Sequence, residues 1–153
     1  MWVDECGIEQ GLYRPYARSS RGVPVIADIQ DKRFMPRINV IAAYQQHHLY
    51  AALRLEGSVD RKVFDTWIER CLVAQLSPGH VVIMDNARFH QSAKTQALIE
   101  KAGCQLLFQP VYSPDLNKIE QQWAILKQGI RANSKPELSF LEKLDQQLIY
   151  MYG

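Results

Sequence analysis

Three acidic residues lie at positions where carboxylates could do chemistry. Asp4 falls inside a short β-rich stretch, WVDECGI, and Asp85 directly follows the apolar run HVVIM. Glu120 lies in the first turn of an amphipathic stretch that we predict to be helical. If Asp4 and Asp85 lie on adjacent strands, their like charges need compensation, and a divalent cation could supply it. Carboxylate oxygens without a nearby cysteine favour Mg²⁺ or Mn²⁺, and a pair of such ions could clamp a phosphodiester.

Each acid also has a structural interpretation. Asp85 and Asn86 could make a turn after a strand, and Asp4 could be a polar residue on an edge strand. Asn117 could cap a helix, with Glu120 completing a capping box. The catalytic interpretation therefore depends on the three acids being taken together.

Hydrophobic periodicity predicts the elements that must position these acids. The predicted strand at Asp4 alternates, with Trp2, Asp4 and Cys6 on one face. The run at 80–84 is the most continuous apolar stretch, so we expect it to be the most buried, central strand, with its carboxyl end at a ligand site. The predicted strands are 2–8, 37–44, 48–55, 80–84 and 104–109, and the predicted helices are about 60–76, 92–102, 116–132 and 137–151.

This order predicts an α/β fold in a single domain, 1–153. The first three strands can form an antiparallel meander, and the later strands alternate with helices and should run parallel to the first. We therefore expect a mixed five-stranded sheet flanked by helices. A loop is expected at 11–24, where glycine and proline are frequent.

Composition narrows the class of protein. The chain of 153 residues is 47% hydrophobic, which is enough for a core, and it has three widely spaced cysteines. It contains no apolar run long enough to span a membrane and no signal peptide, so we expect a cytoplasmic protein. A small-molecule α/β enzyme is disfavoured because neither GxGxxG nor GxxxxGK is present.

Basic residues concentrate in two zones although the net charge is only +2. Residues 12–37 hold six basic and two acidic side chains, and residues 86–135 hold seven basic and three acidic ones. These zones could form a nucleic-acid face or could be ordinary variation in surface charge.

The blocks WVDECGI, VVIMDNARFH and PVYSPDLNKIEQQW together resemble the DDE transposase domain of the mariner-like superfamily, in its bacterial insertion-sequence branch. The 34 residues between Asp85 and Glu120 are typical of that family, and the resemblance covers about 1–135. It implies a ribonuclease-H-like sheet of order 3-2-1-4-5 with strand 2 antiparallel. It also implies that Asp4, Asp85 and Glu120 bind the catalytic metals, which are expected to be two Mg²⁺ or Mn²⁺ ions.

The resemblance further implies DNA as the substrate. The expected reaction is nicking at element ends, followed by attack of the freed 3′-hydroxyl on target DNA, by a homodimer or larger assembly associated with the bacterial nucleoid. Candidate DNA-binding residues are Asn86, Arg88, His90, Lys127 and Arg131. Asn86 and His90 could instead orient the second acid, His90 could be a surface or helix-entry residue, and Lys127 and Arg131 could be a solvated helix face.

The sequence departs from the family pattern in two places. Lys118 stands where the family usually has proline, and no helix-turn-helix module fits before the first strand. We therefore expect a catalytic domain alone, which by itself recognises no specific element end and is served by a separately encoded DNA-binding subunit. An inactive remnant that binds DNA or a partner subunit, and a nuclease of related fold, are the alternatives.

Overall fold

The computed structural model describes residues 1–9, 18–24, 37–110 and 116–152. The predicted loop at 11–24 and the first basic zone therefore lie partly outside the described residues. The strands and helices, in chain order, are β1 Trp2–Glu9, β2 Arg37–Gln45, β3 His48–Glu56, α1 Arg61–Trp67, β4 Val81–Met84, α2 Ala93–Lys101, β5 Gln105–Phe108, α3 Glu120–Ala132 and α4 Phe140–Tyr152. Helix α1 continues into a π-helical turn, Ile68–Leu72, and a 3-10 turn, Val73–Gln75.

The five strands form one mixed sheet in the order β3-β2-β1-β4-β5. β2 runs antiparallel to both β1 and β3, whereas β4 is parallel to β1 and β5 is parallel to β4. The predicted sheet order, the antiparallel second strand and the ribonuclease-H-like class are confirmed.

Helices cover both faces of the sheet. On one face α3 and α4 pack against alternate residues of β1 and β2, and the buried residues of α3 are Trp123, Leu126 and Ile130, as the periodicity predicts. On the other face α1, its continuation and α2 pack against Val3, Val82 and Met84. Glu5 lies on this second face, opposite to Asp4, because side chains alternate along a strand.

Two helix starts follow the capping signals in the sequence. The Asp60 carboxylate accepts the Val63 N–H at 2.8 Å, and the Ser92 hydroxyl accepts the N–H groups of Lys94 and Thr95. Gly103, which follows α2, has a φ of +72° that a residue without Cβ adopts readily.

Two features differ from the sequence predictions. The most continuously buried strand is β2, with seven consecutive buried residues, whereas Val81 of β4 is exposed. β2 is covered on both faces near the middle of the sheet, while β4 lies next to the edge strand. Helices α3 and α4 begin at Glu120 and Phe140, a few residues later than predicted. None of the described helices is long and apolar enough to cross a membrane.

Candidate metal and phosphodiester site

Strands β1 and β4 bring Asp4 and Asp85 side by side. In the parallel register, Trp2 pairs with Ile83 and Val3 pairs with Met84. The residue that follows this second pair is an aspartate on both strands. β4 ends at Met84, and Asp85 therefore stands at its carboxyl end. Burial, followed by the negative charge of Glu5 and to a smaller extent that of Asp85, raises the pKa of Asp4 to about 6.

The Asp4 carboxylate is held by three hydrogen bonds. Its Oδ1 accepts the backbone N–H of Glu5 at 2.8 Å. Its Oδ2 accepts the side-chain amide of Asn117 at 2.9 Å and the indole N–H of Trp123 at 3.3 Å. Two of these donors come from the region of α3, far from β1 in the sequence. The first acid is therefore oriented by the same segment that carries Glu120.

Asp85 is held by His90 and by its own loop. The Asp85 Oδ1 accepts from His90 Nδ1 at 2.5 Å and from the Ala87 N–H at 2.9 Å. The other oxygen, Oδ2, accepts no hydrogen bond from the described part of the chain. The hydrogen bond from His90 is the main reason that the pKa of Asp85 is lowered. Asp85 is therefore ionised at neutral pH with one oxygen open to a cation.

His90 is buried between two carboxylates. Its Nε2 lies 3.1 Å from Glu5 Oε2 while Nδ1 faces Asp85, and its ring packs on Phe64 and Phe89 with centroids 4.4 and 4.3 Å away. Both ring nitrogens face carboxylate oxygens, so both must donate and the ring is an imidazolium. Burial alone lowers the pKa of His90, but the hydrogen bonds to Asp85 and Glu5 outweigh it and raise that pKa to about 9.

Glu120 is the first residue of α3, and its side chain is exposed. Its charge acts on the thiol of Cys6, which is two residues beyond Asp4 on β1 and has a pKa raised chiefly by burial. Within the described ranges, no group of three or more His, Cys, Asp or Glu side chains could hold one metal ion. The structure thus joins Asp4 to Asp85 and places Glu120 near the same strand without gathering all three.

The capping-box interpretation of Glu120 is wrong. Helix α3 begins after Ile119, which makes no side-chain capping hydrogen bond, and the amide of Asn117 is on Asp4 instead. The Glu120 N–H donates to the Asn117 carbonyl oxygen at 3.1 Å, which closes the turn before the helix.

The five predicted DNA-binding residues have different surroundings. His90 is fully buried, so the predictions of a surface histidine and of direct DNA contact are corrected, and its position on Asp85 accounts for its burial. Asn86 donates to the Gln109 carbonyl oxygen at 2.7 Å and so ties the loop after β4 to the end of β5. Arg88 and Arg131 are exposed, and Lys127 is half-buried near Cys6.

Three residues of the site were not predicted from the sequence: Glu5, Asn117 and Trp123. From the sequence, helical periodicity places Trp123 in the core, and strand alternation places Glu5 on the face opposite to Asp4. The regular spacing of Asn117, Glu120 and Trp123 is the signal that could have indicated a shared task. Lys118, in the same segment, lies over the Trp2 ring at 4.9 Å from its centroid.

The donor set fits a hard divalent cation. Asp4 and Asp85 would supply oxygen ligands at the carboxyl ends of β1 and β4. The pKa of Asp4 is raised first by burial and then by the negative charges of Glu5 and Asp85, and a bound cation would offset that negative charge. Glu120 could join them from the start of α3.

Comparisons with known proteins agree with this fold. Residues 1–144 match the family model described as DDE superfamily endonuclease. The Mos1 strand transfer complex aligns with a TM-score of 0.73 at 18% identity, covering 99% of this chain and 48% of that one. The Mos1 mariner paired end complex with Mn aligns with a TM-score of 0.70 at 17% identity, covering 97% and 47%.

The catalytic core domain of BIV integrase is a more distant structural neighbour. It aligns with a TM-score of 0.52 at 13% identity, covering 76% of this chain and 74% of that one. The chain thus spans about half the length of the Mos1 proteins that it resembles. No curated protein matches the sequence.

Proposed function

The chain belongs to the DDE superfamily endonucleases, and from this premise we propose that it is the metal-dependent catalytic domain of a DNA transposase. The observation that carries the proposal is that Asp4 and Asp85 each directly follow the paired residues Val3 and Met84 of adjacent parallel strands, and that buried donors orient both carboxylates. The bacterial insertion-sequence branch stays a prediction from the sequence.

Asp4, Asp85 and Glu120 would hold one or two Mg²⁺ or Mn²⁺ ions. When bound, such ions supply positive charge at the phosphodiester and its attacking and leaving oxygens. His90 holds Asp85 ionised and fixed through Nδ1, and Glu5 fixes the opposite side of the same ring. Asp85 Oδ2, which accepts no hydrogen bond from the described residues, is left for a cation.

The proposed reaction is phosphoryl transfer in two stages. Water attacks phosphorus at the element end and the P–O3′ bond breaks, which leaves a 3′-hydroxyl and a 5′-phosphate. The 3′-hydroxyl then attacks a target phosphodiester, and the target's 3′ oxygen leaves. No bond forms between protein and DNA in this scheme.

DNA is the proposed partner. The neighbouring Mos1 structures are described as a strand transfer complex and a paired end complex. On this chain, Arg131 and Arg88 are exposed and Lys127 is half-buried on the α3 face that also carries Glu120. We expect end pairing by a homodimer or larger assembly, a DNA-binding segment or subunit for end recognition, and action in the cytoplasm at the nucleoid.

The test is nicking of supercoiled plasmid with Mg²⁺ or Mn²⁺, beside Asp85→Asn. Asp145→Asn is a matched control, because the Asp145 side chain is 43% exposed and that of Asp85 is 48% exposed. We expect the wild type and Asp145→Asn to nick and Asp85→Asn to lose activity at least about 100-fold. Calorimetry should show Mn²⁺ binding that Asp85→Asn weakens.

The result also separates the alternatives. A chain that nicks but never joins a 3′-hydroxyl to target DNA is a nuclease of related fold. A folded wild type that neither nicks nor binds Mn²⁺ contradicts the proposal and supports the inactive remnant.

A further inference from the structure

Two buried donors from the α3 segment converge on one oxygen of Asp4. The Asn117 amide and the Trp123 indole both donate to Asp4 Oδ2, across 113 and 119 residues of sequence. Asn117 is 7% exposed and Trp123 is 5% exposed. Because a buried donor that loses its partner costs about 1–3 kcal/mol, both donors resist any rotation of the carboxylate.

The hydrogen bonds leave a defined direction open at Asp4. A carboxylate offers about four lone-pair positions, and Asn117, Trp123 and the Glu5 N–H occupy three of them. The remaining position suits a single bond to a cation. Asp4 is thus prepared for one ligand bond of fixed direction.

The same contacts tie the first acid to the third. Glu120 lies midway between Asn117 and Trp123 in the sequence, three residues from each. Anchoring both flanking residues on Asp4 sets where α3 begins relative to β1, and therefore where the Glu120 backbone lies. Without these two hydrogen bonds the position of the first turn of α3 would be less well fixed, because Ile119 provides no side-chain cap.

We propose, on the basis of the proposed function, that Asn117 and Trp123 are positioning residues for the divalent cation. They fix the Asp4 carboxylate and the start of α3 in one arrangement, so that β1 and α3 present their acids to the ion together. Residues that orient metal ligands in this way typically contribute 10-fold to 100-fold to metal affinity.

The experiment compares two variants with two matched controls. Trp123→Phe and Asn117→Ala each remove one donor to Asp4. Trp67→Phe removes another buried indole donor, 2.7 Å from the Ala51 carbonyl oxygen, in the core on the opposite face of the sheet. Asn39→Ala removes an amide with the same 7% exposure that donates to the Gly57 carbonyl oxygen. Urea unfolding establishes that each variant is folded before use.

Calorimetry with Mn²⁺ gives the main measurement. We expect the dissociation constant to rise about 10-fold or more for Trp123→Phe and Asn117→Ala, and to stay within about twofold for the two controls. The metal concentration for half-maximal nicking should rise by the same factor. Equal losses in all four variants, or none in the first two, would overturn the inference.

A spectroscopic readout tests the contact without activity. In ¹H–¹⁵N spectra, the Trp123 indole resonance should shift in Asp4→Asn and on addition of Mg²⁺, whereas the Trp67 resonance should not. An unmoved Trp123 resonance in a folded Asp4→Asn protein contradicts the positioning role. A wild type without Mn²⁺ binding overturns the proposed function and this inference together, whereas tight binding by wild type and Trp123→Phe alike overturns only the inference.

Discussion

Raising the pH from about 6.5 to 9 should destabilise the fold through His90. The pKa of His90 is raised from 6.5 to about 9, because the hydrogen bonds to Asp85 and Glu5 outweigh burial. The folded protein then holds a proton that the unfolded chain releases. The stabilisation is complete below pH 6.5 and is lost as the pH rises through 9.

The size follows from the pKa difference. At 1.36 kcal/mol for each pKa unit, the shift of about 2.5 units corresponds to about 3 kcal/mol. Between pH 7 and 8.5 the stability contributed by this group should fall by about 1.4 kcal/mol for each pH unit. This is a large fraction of the roughly 5–15 kcal/mol that stabilises a typical domain.

The assay is urea unfolding of wild type and His90→Gln between pH 6 and 9.5 without metal. Burial lowers the pKa of the Met1 amino group, which works in the opposite direction, and burial raises the pKa of the Cys6 thiol. Both groups are present in both proteins, so their effects cancel in the difference.

The stability gap between wild type and His90→Gln should therefore narrow by about 3 kcal/mol from pH 6 to 9.5. His80→Gln is the control, because His80 lies before β4 and contacts the Ser77 N–H at 3.2 Å, away from the acids. It should keep the wild-type pH dependence. A gap that stays constant across this range would refute the assignment of His90 as a buried imidazolium.

Three further predictions concern other parts of the molecule. The pKa of Asp4 is raised mainly by burial, so its contribution to the free energy of unfolding is complete below pH 3.8 and lost as the pH rises through about 6. Urea unfolding in EDTA should therefore show wild type losing about 3 kcal/mol relative to Asp4→Asn from pH 3.8 to 7. Saturating Mg²⁺ should reverse the loss, whereas parallel pH curves for the two proteins would contradict the prediction. Asp65→Ala should lower the free energy of unfolding by about 1–3 kcal/mol, because the Thr95 hydroxyl, 2.8 Å from Asp65, is buried and loses its acceptor; a change below about 0.5 kcal/mol in urea unfolding would count against this tie between α1 and α2. Arg131→Gln should reduce the slope of log affinity for DNA against log salt by about one, and an unchanged slope would remove Arg131 from the DNA face.

The elements were largely predictable because their signals are local. The alternation at Trp2–Glu9, the apolar stripe of α3 and the caps at Asp60 and Ser92 each depend on residues within a turn or two. The prediction that β4 is the most buried strand was wrong because burial depends on neighbours: β2 is covered on both faces by helices that come later in the chain.

Only the part of the site that depends on local signals was predicted. The positions of Asp4 and Asp85 follow from strand ends and the parallel order, and in the structure each directly follows one of the paired residues Val3 and Met84 of β1 and β4. The partners of those acids could not be predicted, because His90 meets Glu5 across 85 residues and Asn117 meets Asp4 across 113. Such contacts arise only when the sheet and helices are packed.

The sequence by itself determined which segments are strands and helices, which residue types are offered at the strand ends, and the spacing that indicates the DDE family. Periodicity and capping act over a few residues, so the order of residues along the chain is enough to predict the elements that depend on them. The tertiary structure decided that His90 is a buried imidazolium between two carboxylates, and that a tryptophan of the core also holds the first acid. Charge and hydrogen-bond partners depend on distances in space, which the order of residues does not state.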